Sequence, residues 1–123
     1  PTRDFSFVSD TARAFELSIN AKNIIGEVIN VGSNFDISME DTFKLIVNLM
    51  KKEVKLQVSK ERVRPKKSEV TRLLASNKKA KKLLNWSPKY GGINGFKKGL
   101  KETIDWFSDN QNLSYYKQTT YIR

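Results

Sequence analysis

The chain has 123 residues and 38% hydrophobic residues, enough for one small core and short for a two-domain enzyme. It contains no cysteine and no histidine, which excludes disulfides, thiolate or imidazole metal sites and the usual histidine-based catalytic groups. The net charge of +10 is concentrated: residues 60 to 82 carry ten basic side chains against Glu61 and Glu69, a local charge of +8.

The first element is "RDFSFV", residues 3 to 8, which alternates aromatic and polar residues and reads as a short strand. Asp10 is placed to cap the helix "TARAFELSINA", whose inner face carries Ala14 and Leu17, with Ser18 or Ala21. "GEVINVGS", 26 to 33, is bounded by Gly26 and Gly32. It is too short for a helix and reads as a buried strand.

"ISMEDTFKLIVNLMKK" is the clearest helix. Ser38 is its expected N-cap, with Asp41 three residues on, and Phe43, Ile46, Val47 and Met50 form the apolar face. "EVKLQV", 53 to 58, alternates and reads as a strand. Pro65 interrupts regular structure in the basic stretch "RVRPKKSEV", and "SEVTRLLA" reads as a short strand or an extended segment.

"SNKKAKKLLNW" is a short helix capped by Ser76 or Asn77, with Ala80, Leu83 and Leu84 inward and four lysines outward. "INGFKKGLKETIDWFSDN" is the last long helix, with Phe96, Leu100, Thr103 or Ile104, and Phe107 at helical spacing. The tail "LSYYKQTTYIR" is aromatic and β-prone. The order is an α/β one, in a small unit of about three short strands, expected parallel, and four helices.

Little in the chain points to chemistry of its own. "GGINGFKKG" opens a helix, but no strand leads into it at the spacing of a phosphate-binding loop. The carboxylates Glu102, Asp105 and Asp109 occupy a helix that needs a polar face. The basic block admits two readings, a nucleic-acid patch or a solvated surface. The aromatic residues, remote from that block, weigh against nucleic acid.

In order, "RDFSFVSDTARAFELSI", "GEVINVGS", "RVRPKKSEV", "SNKKAKKLLNWSPKY" and "GFKKGLKETIDWF" resemble the C-terminal part of the NAD-dependent nucleotide-sugar epimerases and dehydratases. These are extended short-chain dehydrogenases/reductases. "RPKKSEVTRLL" and the tyrosine-rich tail look most like the UDP-N-acetylglucosamine 4,6-dehydratases of the legionaminic-acid type. The family's Gly-rich NAD loop and Tyr-x-x-x-Lys pair do not occur here, since no tyrosine is followed by lysine four residues on.

The resemblance therefore implies residues 1–123 to be a substrate-binding lobe, a fragment without the Rossmann domain and inactive alone. The abrupt start at "PTRDF", without Met, fits that expectation. The parent enzyme would use NAD to oxidise the sugar at C4. Loss of water across C5–C6 and hydride return would follow in a dehydratase, and hydride return to the other face in an epimerase. The resemblance further implies that Arg3 and Arg64 contact the diphosphate, Glu69 the ribose hydroxyls, and Ser38 the nucleotide. A guanidinium suits phosphate oxygens, and a carboxylate accepts two vicinal hydroxyls.

Two positions depart from the family pattern, Ser76 in place of Asp and Asn85 in place of the Gly of Leu-Gly-Trp. The expected partners are a nucleotide-diphosphate sugar, the Rossmann domain and, through uncovered apolar surface, a second copy. No apolar run reaches the roughly 20 residues of a membrane helix, and no secretory signal is evident, so the expected location is the cytoplasm. A small nucleic-acid-binding domain and a non-catalytic scaffold are the alternatives.

Overall fold

A computed structural model describes residues 1–57 and 70–116. The elements run β1 (Thr2–Asp4), α1 (Val8–Ile19), β2 (Asp36–Ser38), α2 (Met39–Met50), β3 (Arg72–Leu73), α3 (Lys78–Leu84), α4 (Gly92–Ser108) and α5 (Asn110–Ser114). This is a small α/β fold of three strands and five helices among the described residues, one helix more than expected.

The sheet has the order β2-β1-β3. β1 pairs antiparallel with β2, Thr2 opposite Ser38 and Asp4 opposite Asp36. It pairs parallel with β3, Thr2 opposite Arg72 and Arg3 opposite Leu73. The sheet is thus mixed, not wholly parallel. Its second strand is not one of those expected, while β3 falls within "SEVTRLLA", read as a short strand or an extended segment. Residues 27–33 form no ladder with the described residues, and residues 53–57 are irregular; Val58 lies outside the described residues. Alternation marks a strand only where a neighbour lies alongside to accept the backbone groups.

The helices follow the sequence more closely, because their apolar faces repeat locally. Ser38 caps α2 as expected: its Oγ accepts the Asp41 N–H at 3.0 Å and donates to Asp41 Oδ2 at 2.6 Å. α3 ends at Asn85, which adopts the left-handed conformation (φ 50°) that Asn tolerates well. Asn77 stands at its N-terminus without a side-chain cap bond and donates instead to Gly32 O at 3.3 Å.

Asp10 is not the N-cap of α1. Phe7 occupies that position, and Asp10 lies in the first turn, 2% exposed. Its Oδ1 accepts the Lys89 N–H (2.9 Å) and its Oδ2 the Tyr90 N–H (2.8 Å), while Arg13 Nη2 donates to Oδ1 at 3.0 Å. Burial pushes the carboxyl up, but the amides of Lys89 and Tyr90 and the Arg13 guanidinium outweigh it and hold the group below its ordinary range. Trp86, 1% exposed, donates its Nε1–H to Asp10 O at 3.0 Å. The core closes here, where Ala14, Ala80, Leu84 and Trp86 join α1 to α3. Asp10 is thus structural through partners far along the chain and not as a cap.

Candidate functional site

The described candidates, Arg3 and Ser38, lie on adjacent strands of the sheet. Arg3 projects from the central strand, and its Nη1 donates to Thr2 O (2.8 Å) and Val70 O (2.9 Å). Thr2 N–H donates to Thr71 O at 2.8 Å. Val70 and Thr71 are the first described residues after the basic stretch, so β1 holds the point at which that stretch rejoins the fold. Arg64 and Glu69 lie outside the described residues, Glu69 being the covalent neighbour of Val70.

Across β1, Arg72 clamps Asp36 in a bidentate pair, Nε to Oδ2 at 3.0 Å and Nη2 to Oδ1 at 2.9 Å. The guanidinium holds the Asp36 carboxyl down to about 2. Ser38 begins α2 on the outer strand. Its register partner is Thr2, whereas Arg3 stands opposite Ile37 and Leu73. Successive strand residues face opposite sides, so Arg3 and Ser38 sit on adjacent strands but on opposite faces.

Ser38 lines an open groove of about 770 Å³ with Thr2, Asp36, Lys44, Asn48 and Lys97. Lys44 comes from α2 and Lys97 from α4. Neither stands out in the sequence, where each is one lysine on the polar side of an amphipathic helix. Lys44 also pairs with Glu40 at 2.6 Å. The groove sets hydroxyl, carboxylate and ammonium groups beside the apolar side chains of Phe35, Ile37, Leu45 and Ile93. A second cavity of about 310 Å³, lined by Phe5, Phe7, Thr42, Tyr90, Phe96 and Gly99, is apolar. Tyr90 Oη donates to the Glu102 carboxylate, 3.0 Å from each oxygen, which pushes the phenol up.

The sequence profile of the GDP-mannose 4,6-dehydratase family matches residues 1–103. The chain belongs to this family. As a GDP-mannose 4,6-dehydratase family member it is 33% identical to the UDP-glucuronate 4-epimerase of Thermodesulfobacterium geofontis, over 90% of this chain and 32% of that protein. A crystal structure of the UDP-glucose 4-epimerase of Thermotoga maritima, with UDP-glucose, superposes with a TM-score of 0.71 and 28% identity. The match covers 86% of this chain and 31% of that one. The dTDP-glucose 4,6-dehydratase of Bacillus anthracis, in complex with NAD, gives a TM-score of 0.68 and 27% identity, over 89% and 32%.

This family member thus spans about a third of the length of the relatives it matches. The expected kinship with nucleotide-sugar epimerases and dehydratases holds at the level of the family.

A Cβ on Gly95 would fall 2.7 Å from Tyr90 Cα, one on Gly91 3.0 Å from Pro88, and one on Gly99 2.9 Å from the Phe7 ring. These three glycines let α4 pack closely on its preceding loop and on Phe7. Among the described residues no group of three acidic side chains could hold a metal ion, and no helix is long and apolar enough to cross a membrane.

Proposed function

We propose that this chain holds the nucleotide diphosphate of a nucleotide-diphosphate sugar for an NAD-dependent epimerase or 4,6-dehydratase. Within that group we propose the UDP-N-acetylglucosamine 4,6-dehydratase of the legionaminic-acid type, acting in the cytoplasm. Arg3 and Arg64 grip the phosphates, Glu69 accepts the ribose hydroxyls, and Ser38 contributes a polar contact at the start of α2. The dinucleotide and the Tyr-x-x-x-Lys pair belong to polypeptide outside these residues, so the chain alone binds without turning over.

The observation that carries the reading is the family match over residues 1–103, which includes all four positions. The bond from Arg3 to Val70 O supports it, because it ties one phosphate ligand to the end of the stretch that carries the other two groups. The UDP-glucose in the related epimerase structure supports a sugar nucleotide as the ligand class.

Titration of the chain with UDP and dTDP, followed by amide chemical shifts, tests the proposal. The expected affinity is weak, about 4 kcal/mol or a millimolar dissociation constant. Shifts should centre on Arg3, Arg64 and Glu69, and Arg64→Ala and Glu69→Gln should each reduce them. A flat response to both nucleotides, with tight and salt-steep binding of DNA or RNA, would replace this reading by the nucleic-acid one.

A further inference from the structure

α3 presents a basic face that carries no acid of its own. At about 100° per residue, Lys78, Lys79, Lys81 and Lys82 fall within an arc of about 160°. All four are exposed, while Ala80 and Leu84, on the opposite side, are buried in the core with Trp86. The lysines of the longer helices differ in this respect. Lys44 of α2 pairs with Glu40, and Lys101 of α4 with Asp105, each along its own helix. Among the described residues the one ion pair of α3 joins Lys79 to Glu27. Four lysines against one carboxylate leave this face a net charge of +3.

Glu27 also shows what stands beside the face. Lys79 and, at longer range, Lys82 hold its carboxyl below the ordinary range, so the turn at Ile24–Glu27 abuts α3. Glu27 N–H closes that turn on Ile24 O at 3.0 Å, and Gly26 supplies the positive φ of 79°. The side chain at the tip of the turn is Ile25, which is 100% exposed. Lys22, just before the turn, is exposed as well.

Ammonium groups beside an aliphatic tip match the surface of an anionic bilayer. Lysines place their charges among lipid phosphates while their stems lie along the apolar boundary, and an isoleucine enters the acyl region. A nucleic acid would use the same cations, but it gains nothing from an aliphatic tip. It takes stacking rings, and Trp86, which follows α3, is buried. Such a contact is peripheral, since no helix among the described residues is long and apolar enough to span a membrane.

We propose that the α3 lysines and Ile25 form a face that docks on an anionic lipid surface. The nucleotide reading is independent of it, because Arg3, Arg64, Glu69 and Ser38 take no part.

Flotation of the 123-residue chain with vesicles tests the proposal. Phosphatidylcholine alone is compared with phosphatidylcholine containing about one-third phosphatidylglycerol, at low salt. Each net positive charge near an anionic surface strengthens binding roughly fivefold, so the anionic vesicles should be favoured about a hundredfold. About 0.5 M salt should abolish the difference. Lys78→Gln combined with Lys82→Gln should weaken binding to anionic vesicles about thirtyfold, and Gln at all four lysines should remove the preference. Ile25→Ser should weaken it about tenfold. Phe15→Ser, which changes a 70% exposed ring on α1, should bind like the parent. The substituted positions are all exposed, and circular dichroism checks that each variant keeps its helices.

Equal binding to both vesicles, or no binding to either, overturns the proposal. A preference that survives in the variant with four Gln also overturns it. So does a loss in Phe15→Ser as large as that in Ile25→Ser, which would mark general apolar adsorption. A nucleic-acid face has its own pattern. A DNA or RNA duplex would displace the vesicles, the lysine variants would lose the duplex, and Ile25→Ser would bind both as the parent does. That pattern replaces the lipid surface by nucleic acid.

Discussion

Asp10 and Tyr90 lie 80 residues apart, and the carboxylate of the first accepts the backbone N–H of the second at 2.8 Å. With the Lys89 amide and the Arg13 guanidinium on the same carboxylate, one buried acid ties α1 to the loop that leads into α4. Asp10→Ala strands two half-buried amides and a guanidinium, and should cost about 3 kcal/mol of stability. Asp10→Asn keeps one acceptor oxygen and should cost about half as much. Urea denaturation of the three proteins at neutral pH measures the difference.

Acid should weaken the fold in two ways. Asp36 and Asp10 both have folded-state values below the ordinary carboxylate range. A depressed group stabilises above its unfolded value, near 4, and loses that contribution as pH falls through its folded value. The urea midpoint should therefore hold from pH 7 to about 5, then fall steadily toward pH 2. Asp36→Asn should flatten the part of that decline which extends to about pH 2, where Asp36 itself protonates. An unchanged pH profile in Asp36→Asn would show that the Arg72 clamp contributes nothing to stability.

Two glycine substitutions should separate space from backbone conformation. Gly95→Ala places a Cβ against the backbone of Tyr90, which cannot give way as a flexible side chain could. It should cost about 3 kcal/mol and perturb the amides of residues 89 to 92. Gly26→Ala meets nothing within 4 Å but keeps a φ of +79°. It should cost about 1 kcal/mol and leave the α4 amides where they are. Thermal unfolding with two-dimensional NMR spectra distinguishes the two.

Ser38 can be tested for its two roles apart. Ser38→Ala removes the cap of α2 and should lower stability by about 1 kcal/mol, whereas Ser38→Asp should restore it. If the hydroxyl also contacts nucleotide, Ser38→Asp will fold like the parent yet lose the UDP-induced shifts. Equal UDP response in Ser38→Asp and the parent would confine Ser38 to capping.

The helices were legible because their evidence is local. The repeat of Phe43, Ile46, Val47 and Met50 and the Ser38–Asp41 pair lie within one segment; the fold uses the cap as read and half-buries Phe43, Ile46 and Val47, while Met50 is exposed and Thr42 is the buried residue of the helix. β2 was not legible, since three residues carry too little alternation to mark it, and β3 was legible only as a short strand or extended segment within residues 68–75. Their pairing reaches from Thr2 to Ser38 and Arg72. The stretch read as a buried strand, 26 to 33, forms no ladder with the described residues. Of the candidate site, the positions of Arg3 and Ser38 could be anticipated, but not that strand register turns them to opposite faces. The bonds of Asp10 to Lys89 and Tyr90 were hidden because an acid in a first helical turn already looks explained.

The middle place of β1 in the sheet has a kinetic consequence. Both of its partners come later in the chain, and the farther pair, Thr2 with Arg72, closes a loop of some seventy residues. α2 and α4 can begin from contacts within a few residues, while the sheet must pay loop-closure entropy before it gains a single ladder bond. The helices should therefore collapse first, and β1 should be the last strand secured, with the Arg3–Val70 bond formed in the same late step. The end of the basic stretch is then fixed only when folding finishes, so any ligand gripped there reports on complete molecules and ignores partly folded ones.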